Sequence, residues 1–193
     1  IRIGERVVDG VEPKDRDVAM VFQSYALYPH MSVRANIEFP LRSRKVPAPE
    51  RDRLVQEAAE SLDLGALLER KPAQLSGGQR QRISIARALT LQPRLLIADE
   101  PVSALDVSVQ AQVLDLLRAL QRDFKLTMIF VTHDLRVASE MCDRIVVMRE
   151  GRVIETGDAA QICGSPANAY TRALINAIPG RGWIRPPAEA LAP

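Results

Sequence analysis

Short apolar runs alternate with amphipathic stretches along most of the chain. Runs of strand length occur at residues 18–22 (VAMVF), 95–98 (LLIA), 128–131 (MIFV) and 145–148 (IVVM). Continuous runs of this kind are typical of strands buried on both faces of a parallel sheet. Apolar residues at three- and four-residue spacing predict an amphipathic helix at Val109, Val113, Leu116, Leu117 and Leu120. Strands that alternate with helices predict an α/β fold with a parallel sheet.

Two apolar segments near the ends of the chain predict simpler elements. Residues 1–8 (IRIGERVV) predict a short strand that ends at the turn Asp9-Gly10. Residues 145–148 are followed by Glu150-Gly151 and the strand-like RVIE, which predicts a hairpin at a sheet edge.

Residues from about 32 to 92 predict a helical insertion between two core strands, with helices near 50–62 and 79–90. We interpret Pro40, Pro47, Pro49 and Pro72 as helix breakers within it. Residues 179–193 are rich in Pro and Gly and predict a poorly ordered tail.

Composition narrows the class of protein. The 193 residues are 47% hydrophobic with a net charge of +2, which suits one compact domain and gives no electrostatic reason to expect nucleic acid binding. No apolar run approaches the ~18 residues of a membrane span, and no secretory signal is recognisable. Cys142 and Cys163 lack the spacing of a metal site or disulfide framework, which predicts reduced thiols.

The motif LSGGQRQR, residues 75–82, opens a predicted helix. Ser76 is a strong N-cap, and Gly77 and Gly78 let backbone amides approach a ligand closely. The positive end of a helix with free amides is a candidate anion site. Taken alone, a capped helix after a glycine turn explains the motif equally well.

The motif RLLIADEP, residues 94–101, ends an apolar run in two acids. Open α/β sheets bind ligands at the carboxyl ends of their strands. Asp99 suits coordination of Mg²⁺ through water, and Glu100 suits polarising an attacking water. Two solvated acids at a strand end are the alternative.

Three further polar residues have weaker signals. Gln23 follows the run at 18–22, and its amide could ligate Mg²⁺ or orient a water. Asp106 ends SALD, where it would be an acid in the first turn of a helix. His133 follows the run at 128–131 and is either structural or, beside Glu100, a contact to a γ-phosphate. Because three of these five motifs follow apolar strands, we expect them to collect along one edge of one sheet.

The order of these motifs and their residues resemble those of the ABC transporter ATPase family over nearly the whole chain. Gln23 resembles the Q-loop glutamine, LSGGQ the signature motif, LLIADE the Walker B strand, SALD the D-loop and His133 the switch histidine. The resemblance implies a RecA-like P-loop NTPase core with a parallel sheet and a helical subdomain, over residues 1–178.

The resemblance also implies ATP and Mg²⁺ as ligands and assigns roles to residues. Glu100 and His133 would be catalytic, and Asp99 and Gln23 would face the metal. The nucleotide-binding residues would be Gln23, Ser76, Gly77, Gly78, Gln79 and Asp106. The implied partners are a second ABC ATPase domain in a head-to-tail dimer, transmembrane permease subunits and, through the permease, a substrate-binding protein. Such a subunit is peripheral on the cytoplasmic face of the inner membrane and binds no nucleic acid.

The chain departs from the family at the phosphate-binding loop. The pattern G-x-x-x-x-G-K-[ST] does not occur, and no lysine (Lys14, Lys45, Lys71 or Lys125) follows a glycine. In the family this loop precedes the strand that IRIGERVV resembles, so we expect an N-terminally truncated chain. Without the loop, this chain alone should bind ATP weakly or not at all and should not hydrolyse it.

The type of transporter is ambiguous from the motifs. AMVFQSYALYPHMSVRANIEFPL resembles importers of sugars, glycerol phosphate and polyamines, whereas EPVSALDVSVQAQVLDLL and SPANAYTRALINAIP resemble oligopeptide, dipeptide and nickel importers. The longer C-terminal match favours a peptide-type importer ATPase, with the sugar or glycerol-phosphate type as the alternative. A further alternative is a catalytically inactive truncated ABC protein. A soluble ABC protein of ribosomes or nucleic acid fits less well, because paired domains and basic insertions are absent from the sequence.

Overall fold

A computed structural model describes residues 1–178, apart from the side chain of Lys14. The tail predicted at residues 179–193 lies outside the described residues. The chain divides into two compact units, Ile1–Ile129 and a second that begins at Phe130. The assignment of residues 1–178 to one nucleotide-binding domain, with a helical subdomain at about 32–92, stays a prediction.

The elements follow the predicted alternation. The strands are β1 (Arg2–Ile3), β2 (Arg6–Val7), β3 (Val18–Val21), β4 (Leu95–Asp99), β5 (Thr127–Val131), β6 (Arg144–Arg149) and β7 (Arg152–Asp158). The helices are α1 (Val33–Ser43), α2 (Ala48–Glu60), α3 (Gly77–Leu89), α4 (Val107–Asp123), α5 (Leu135–Met141), α6 (Ala159–Gly164) and α7 (Ala169–Asn176). In the stretch from residue 1 to residue 178, no helix has the length and apolar content needed to cross a membrane.

A three-stranded sheet has the strand order β3-β4-β5. Strands β3 and β4 are parallel, with Val18 opposite Leu95 and Val21 opposite Ala98. Val21, Ala98 and Leu96 are fully buried, as expected of a sheet covered on both faces. The predicted α/β class with a parallel sheet is therefore confirmed.

Helices α1, α2 and α3 follow one another between β3 and β4, and α1 packs on both others. Two of the predicted helix breakers are wrong. Pro40 lies inside α1, which continues to Ser43 because Ile37 and Leu41 on either side are buried. That packing outweighs a proline penalty of about 3 kcal/mol. Pro49 lies in the first turn of α2, where the missing amide hydrogen costs little.

The first eight residues form a hairpin instead of the single predicted strand. Strands β1 and β2 pair antiparallel, with Arg2 opposite Val7. The chain reverses at Gly4, whose φ of +58° is readily adopted by glycine. The prediction was wrong because it took the apolar character of the segment as continuous and did not recognise the turn at this glycine.

The second unit is built around the predicted hairpin of β6 and β7, which pair antiparallel with an irregularity between Val147 and Met148. Its core contains Ala138, Ile145, Val147, Ala159 and Ile162. The carboxylate of Glu155 on β7 accepts hydrogen bonds from the amides of Ala167 (2.7 Å) and Asn168 (3.2 Å), which anchors the start of α7.

The two cysteines border the core of the second unit as free, half-buried thiols. Burial raises the pKa of Cys142, and the charge of Asp143 raises it further. Burial also raises the pKa of Cys163. A raised thiol pKa lowers the fraction of reactive thiolate.

Candidate functional site

Three of the predicted site residues meet at one edge of the central sheet. Strand β3 ends at Val21 and β4 ends at Asp99, and the parallel register places Val21 opposite Ala98. Continuing that register brings Gln23 and Glu100 to the same level beyond the strand ends. Neighbouring strands lie about 4.8 Å apart, so the backbone places Gln23 and the two acidic residues at the same end of these two strands. Gln23 is exposed, whereas Asp99 and Glu100 are half-buried.

Glu100 has an unusual backbone conformation, with φ of +45°. Residues other than glycine avoid this region, at a cost of about 1–3 kcal/mol, and such strain clusters at functional sites. The carbonyl oxygen of Glu100 accepts hydrogen bonds from the amide (3.3 Å) and the hydroxyl (3.1 Å) of Ser103. These bonds hold the turn that points the chain away from the sheet directly after the two acids.

Asp106 is the N-cap of α4, one position before the first turn where the sequence suggested it. Its Oδ1 accepts hydrogen bonds from the amide of Val109 (3.0 Å) and the hydroxyl of Ser108 (2.8 Å). These bonds, the one from Val109 first, hold the pKa of Asp106 below its ordinary value. The residue therefore fixes the start of α4 whatever else it contacts.

The start of α3 is the predicted capped glycine turn. Ser76 is the N-cap, and its hydroxyl accepts from the amide of Gln79 (3.3 Å) while the side-chain oxygen of Gln79 accepts from the amide of Ser76 (3.0 Å). This capping box satisfies two backbone donors. The amides of Gly77 and Gly78 belong to the first turn, where helix geometry provides no intrahelical acceptor. They are the groups left to meet an anion.

The two glycines have close neighbours within the chain. A Cβ on Gly78 would lie 2.6 Å from Cγ1 of Val109, and a Cβ on Gly77 would lie 3.2 Å from both Cδ2 of Leu105 and the hydroxyl of Tyr25. The interpretation that these glycines serve ligand approach alone is therefore too narrow. Leu105 and Val109 flank Asp106, so the start of α3 packs directly on the segment that resembles the D-loop.

His133 lies in the second unit, exposed to solvent and two residues beyond β5. The next residue, Asp134, caps α5 and binds Arg136 through both carboxylate oxygens, at 3.2 and 2.9 Å. The hydrogen bonds from Arg136 lower the pKa of Asp134. The catalytic role of His133 stays a prediction.

The strand-end residues suit a magnesium ion that is shared with a phosphate ligand. Within residues 1–178, no cluster of three or more His, Cys, Asp or Glu side chains could hold a metal by itself. Mg²⁺ usually takes one or two protein carboxylates and completes its shell with water and substrate phosphates. Asp99 and the amide of Gln23 match that partial shell.

One buried residue that shapes the site was not predicted. Asn36 is fully buried on α1, among Val33 and Ile37. Its side-chain oxygen accepts from the amide of Tyr28 (2.8 Å), and its side-chain nitrogen donates to carbonyl oxygens of Tyr28, Met31 and Ser32. The sequence signal that could have identified Asn36 is a polar residue at helical spacing among the apolar residues of α1.

A family model described as ABC transporter matches residues 2–103, just over half of the chain. The chain therefore belongs to the ABC transporter family. A solved structure, that of cbiO1 from Clostridium perfringens, described as part of the ABC transporter complex cbiONQ, is similar with a TM-score of 0.69 and 32% identity. The similarity covers 76% of this chain and 59% of that one. The ABC ATPase fold is thus confirmed.

Curated relatives specify the kind of transporter they serve. The chain is 50% identical over 179 residues to an sn-glycerol-3-phosphate import ATP-binding protein UgpC of Rhodopseudomonas palustris, with 93% of this chain and 49% of the relative covered. It is 43% identical over 190 residues to the protein of that name from Brucella abortus, with 98% and 54% covered. The chain spans about half the length of these relatives. They support the glycerol-phosphate alternative over the peptide-type importer that the C-terminal segments suggested.

Proposed function

We propose that this chain provides the signature motif and the hydrolytic sheet edge of the ATP-binding subunit of an importer for sn-glycerol 3-phosphate or a related polar solute. The observation that carries the proposal is the position of Gln23, Asp99 and Glu100 at the carboxyl ends of the parallel strands β3 and β4. Ligands of open α/β sheets bind at this edge.

Each strand-end residue has a chemical task in this proposal. Asp99 and Gln23 would hold Mg²⁺, and the ion would neutralise charge on the phosphates during transfer. Glu100 accepts a proton from, or orients, the water that attacks the γ-phosphorus. The backbone of Glu100 has φ of +45°, and its carbonyl oxygen accepts a hydrogen bond from the hydroxyl of Ser103, so the backbone is held in place at the residue that carries the proposed hydrolytic carboxylate. The γ-phosphate contact proposed for His133 rests on the resemblance of its motif to that of the family.

The start of α3 serves a nucleotide held by a second ABC ATPase domain. The amides of Gly77 and Gly78 and the helix dipole stabilise negative charge at the γ-phosphate. The capping box of Ser76 and Gln79 keeps those amides aligned. Asp106 sets the adjoining start of α4 at the same dimer surface. The assembled subunit works with permease subunits, and through them a substrate-binding protein, as a peripheral protein on the cytoplasmic face of the membrane.

The solute class rests on the glycerol-phosphate relatives and on the resemblance at residues 18–41. The test uses vesicles that contain the assembled importer, in which the ATP-binding subunit carries a phosphate-binding loop before these residues. Uptake of labelled sn-glycerol 3-phosphate is measured, with a labelled dipeptide as competitor and Glu100→Gln as the inactive control. We expect ATP-dependent uptake that excess dipeptide does not reduce. Uptake of the dipeptide in place of sn-glycerol 3-phosphate would overturn the solute class.

Nucleotide binding by residues 1–193 alone is a separate measurement. The loop pattern that usually supplies most contacts to the β- and γ-phosphates is absent from this sequence. We expect a titration with a fluorescent ATP analogue and Mg²⁺ to give weak binding or none. Tight binding that Asp99→Asn abolishes would show that the strand-end residues bind nucleotide without the loop.

A further inference from the structure

Residues 23–32, which we call the Q segment, connect Gln23 to the N-cap of α1. Tyr25 and Ala26 within it have φ of +62° and +48°. Two successive left-handed residues that are not glycine cost about 1–3 kcal/mol each. Such a conformation persists only when contacts with surrounding groups stabilise it. The contacts of the Q segment therefore determine the position of Gln23 at its start.

Arg87 on α3 makes the contacts at the strained residues. One guanidinium nitrogen donates to the carbonyl oxygen of Ala26 at 2.6 Å and the other donates to that of Tyr25 at 3.2 Å. Burial lowers the pKa of Arg87 from its ordinary value, since its charge is partly removed from water. A planar fork can serve two carbonyl groups at once, whereas a lysine ammonium lacks that geometry.

The Q segment also touches the opposite end of α3. The hydroxyl of Tyr25 lies 3.2 Å from the point where a Cβ of Gly77 would be. Arg87 and Gly77 lie about 15 Å apart along the helix at 1.5 Å per residue. The Q segment is therefore bonded to Arg87 from the last turn of α3, and its Tyr25 hydroxyl lies beside Gly77 in the first turn, where the candidate anion-binding amides lie.

We propose that Arg87 is a positioning residue that holds the strained Q segment against α3, so that Gln23 and the amides of Gly77 and Gly78 keep one fixed relative placement. The effect on Mg²⁺ binding through Gln23 rests on the proposed function. The statement that Arg87 holds the Q segment against α3 does not depend on it. Substitution of Arg87 should release Tyr25 and Ala26 locally while the capping box and the strand ends stay intact.

Residue-resolved hydrogen exchange on residues 1–193 tests the structural part. The amides of Tyr25 and Ala26 donate to the carbonyls of Phe22 (3.2 Å) and Ser24 (2.7 Å), whereas the amide of Tyr28 is bound by Asn36. In Arg87→Lys we expect exchange at Tyr25 and Ala26 to quicken at least about tenfold, with Tyr28 unchanged. The matched control is Arg82→Lys on the same helix. Unchanged exchange at Tyr25 and Ala26 in Arg87→Lys would overturn the proposal, as would equal quickening in the control.

Magnesium dependence in the assembled importer tests the functional part. We expect Arg87→Lys to raise the Mg²⁺ concentration for half-maximal ATP hydrolysis several-fold while the melting temperature stays within the range of Arg82→Lys. An unchanged Mg²⁺ requirement together with quickened exchange would refute the link to Gln23. Absence of hydrolysis in the unsubstituted importer would refute the proposed function instead, and the exchange result would still decide whether Arg87 holds the segment.

Discussion

The start of α3 and the sheet edge at Gln23, Asp99 and Glu100 are both candidate phosphate-facing regions, but the protein holds them in different ways. At α3, side chains and amides of residues 76–79 bind one another, and the two glycines pack against Leu105 and Val109. At the sheet edge, the backbone of parallel strands places the acids, and Glu100 has a strained φ of +45°.

Substitutions in the two regions should therefore have different effects on stability and on activity. Groups that are held by packing and capping contribute to the free energy of unfolding, so changes there should lower stability before they reveal any chemistry. Half-buried or exposed acids at strand ends contribute little to stability, so changes there should appear mainly in the reaction.

Gly78→Ala should give the largest loss. The added Cβ would lie 2.6 Å from Cγ1 of Val109, a β-branched side chain with little rotational freedom. Overpacking of this kind costs about 1–3 kcal/mol, measured as a fall in the urea midpoint of unfolding.

Val109→Ala is the matched partner for that variant because it removes the clashing methyl group. The double variant Gly78→Ala with Val109→Ala should be less destabilised than the sum of the single variants. If the changes in the free energy of unfolding were strictly additive, the contact with Val109 would not be the reason for glycine at position 78. Close approach of a ligand would then explain the glycine.

Ser76→Ala should have an intermediate effect. It removes the acceptor for the amide of Gln79 and half of the capping box. Loss of such a cap costs about 0.5–2 kcal/mol, and thermal unfolding would measure it. Ser76→Thr keeps a hydroxyl and is the control that should retain most of the stability. A melting temperature for Ser76→Ala equal to that of the unsubstituted chain would contradict the capping role.

Asp106→Asn should have a small, pH-dependent effect. Asparagine caps helices about as well as aspartate, so the variant isolates the charge. The pKa of Asp106 is lowered in the folded state, chiefly by the amide of Val109. Its contribution is therefore present above the unfolded pKa and is lost as pH falls through the lower folded value. Below about pH 4 the melting temperature should fall less in Asp106→Asn than in the unsubstituted chain. Parallel curves would argue against the charge effect.

Much of the fold follows from local patterns in the sequence. The apolar runs predicted β3, β4 and β5, and the Ser-Gly-Gly motif predicted the cap of α3, because these depend on neighbouring residues in the chain. The hairpin at Gly4 and the continuation of α1 through Pro40 were not predicted. A single turn residue determines the hairpin. Burial of Ile37 and Leu41 against residues that are distant in the sequence determines the continuation of α1.

The candidate site was predicted in its residue types better than in its contacts. Gln23, Asp99 and Glu100 follow strands whose parallel pairing could be anticipated, so their convergence was foreseeable. The hydrogen bonds from Arg87 to Tyr25 and Ala26 join residues about sixty positions apart, and no local sequence pattern predicts them. The same holds for the contact of Gly78 with Val109.

The central claim, that Glu100 at the sheet edge is needed for ATP hydrolysis, is tested most directly by Glu100→Gln in the assembled importer. We expect nucleotide affinity to be retained, the melting temperature to correspond to a change within about 0.5 kcal/mol, and the rate of ATP hydrolysis to fall at least about a hundredfold. An undiminished rate would contradict the assignment of Glu100 and, with it, the functional account of the sheet edge.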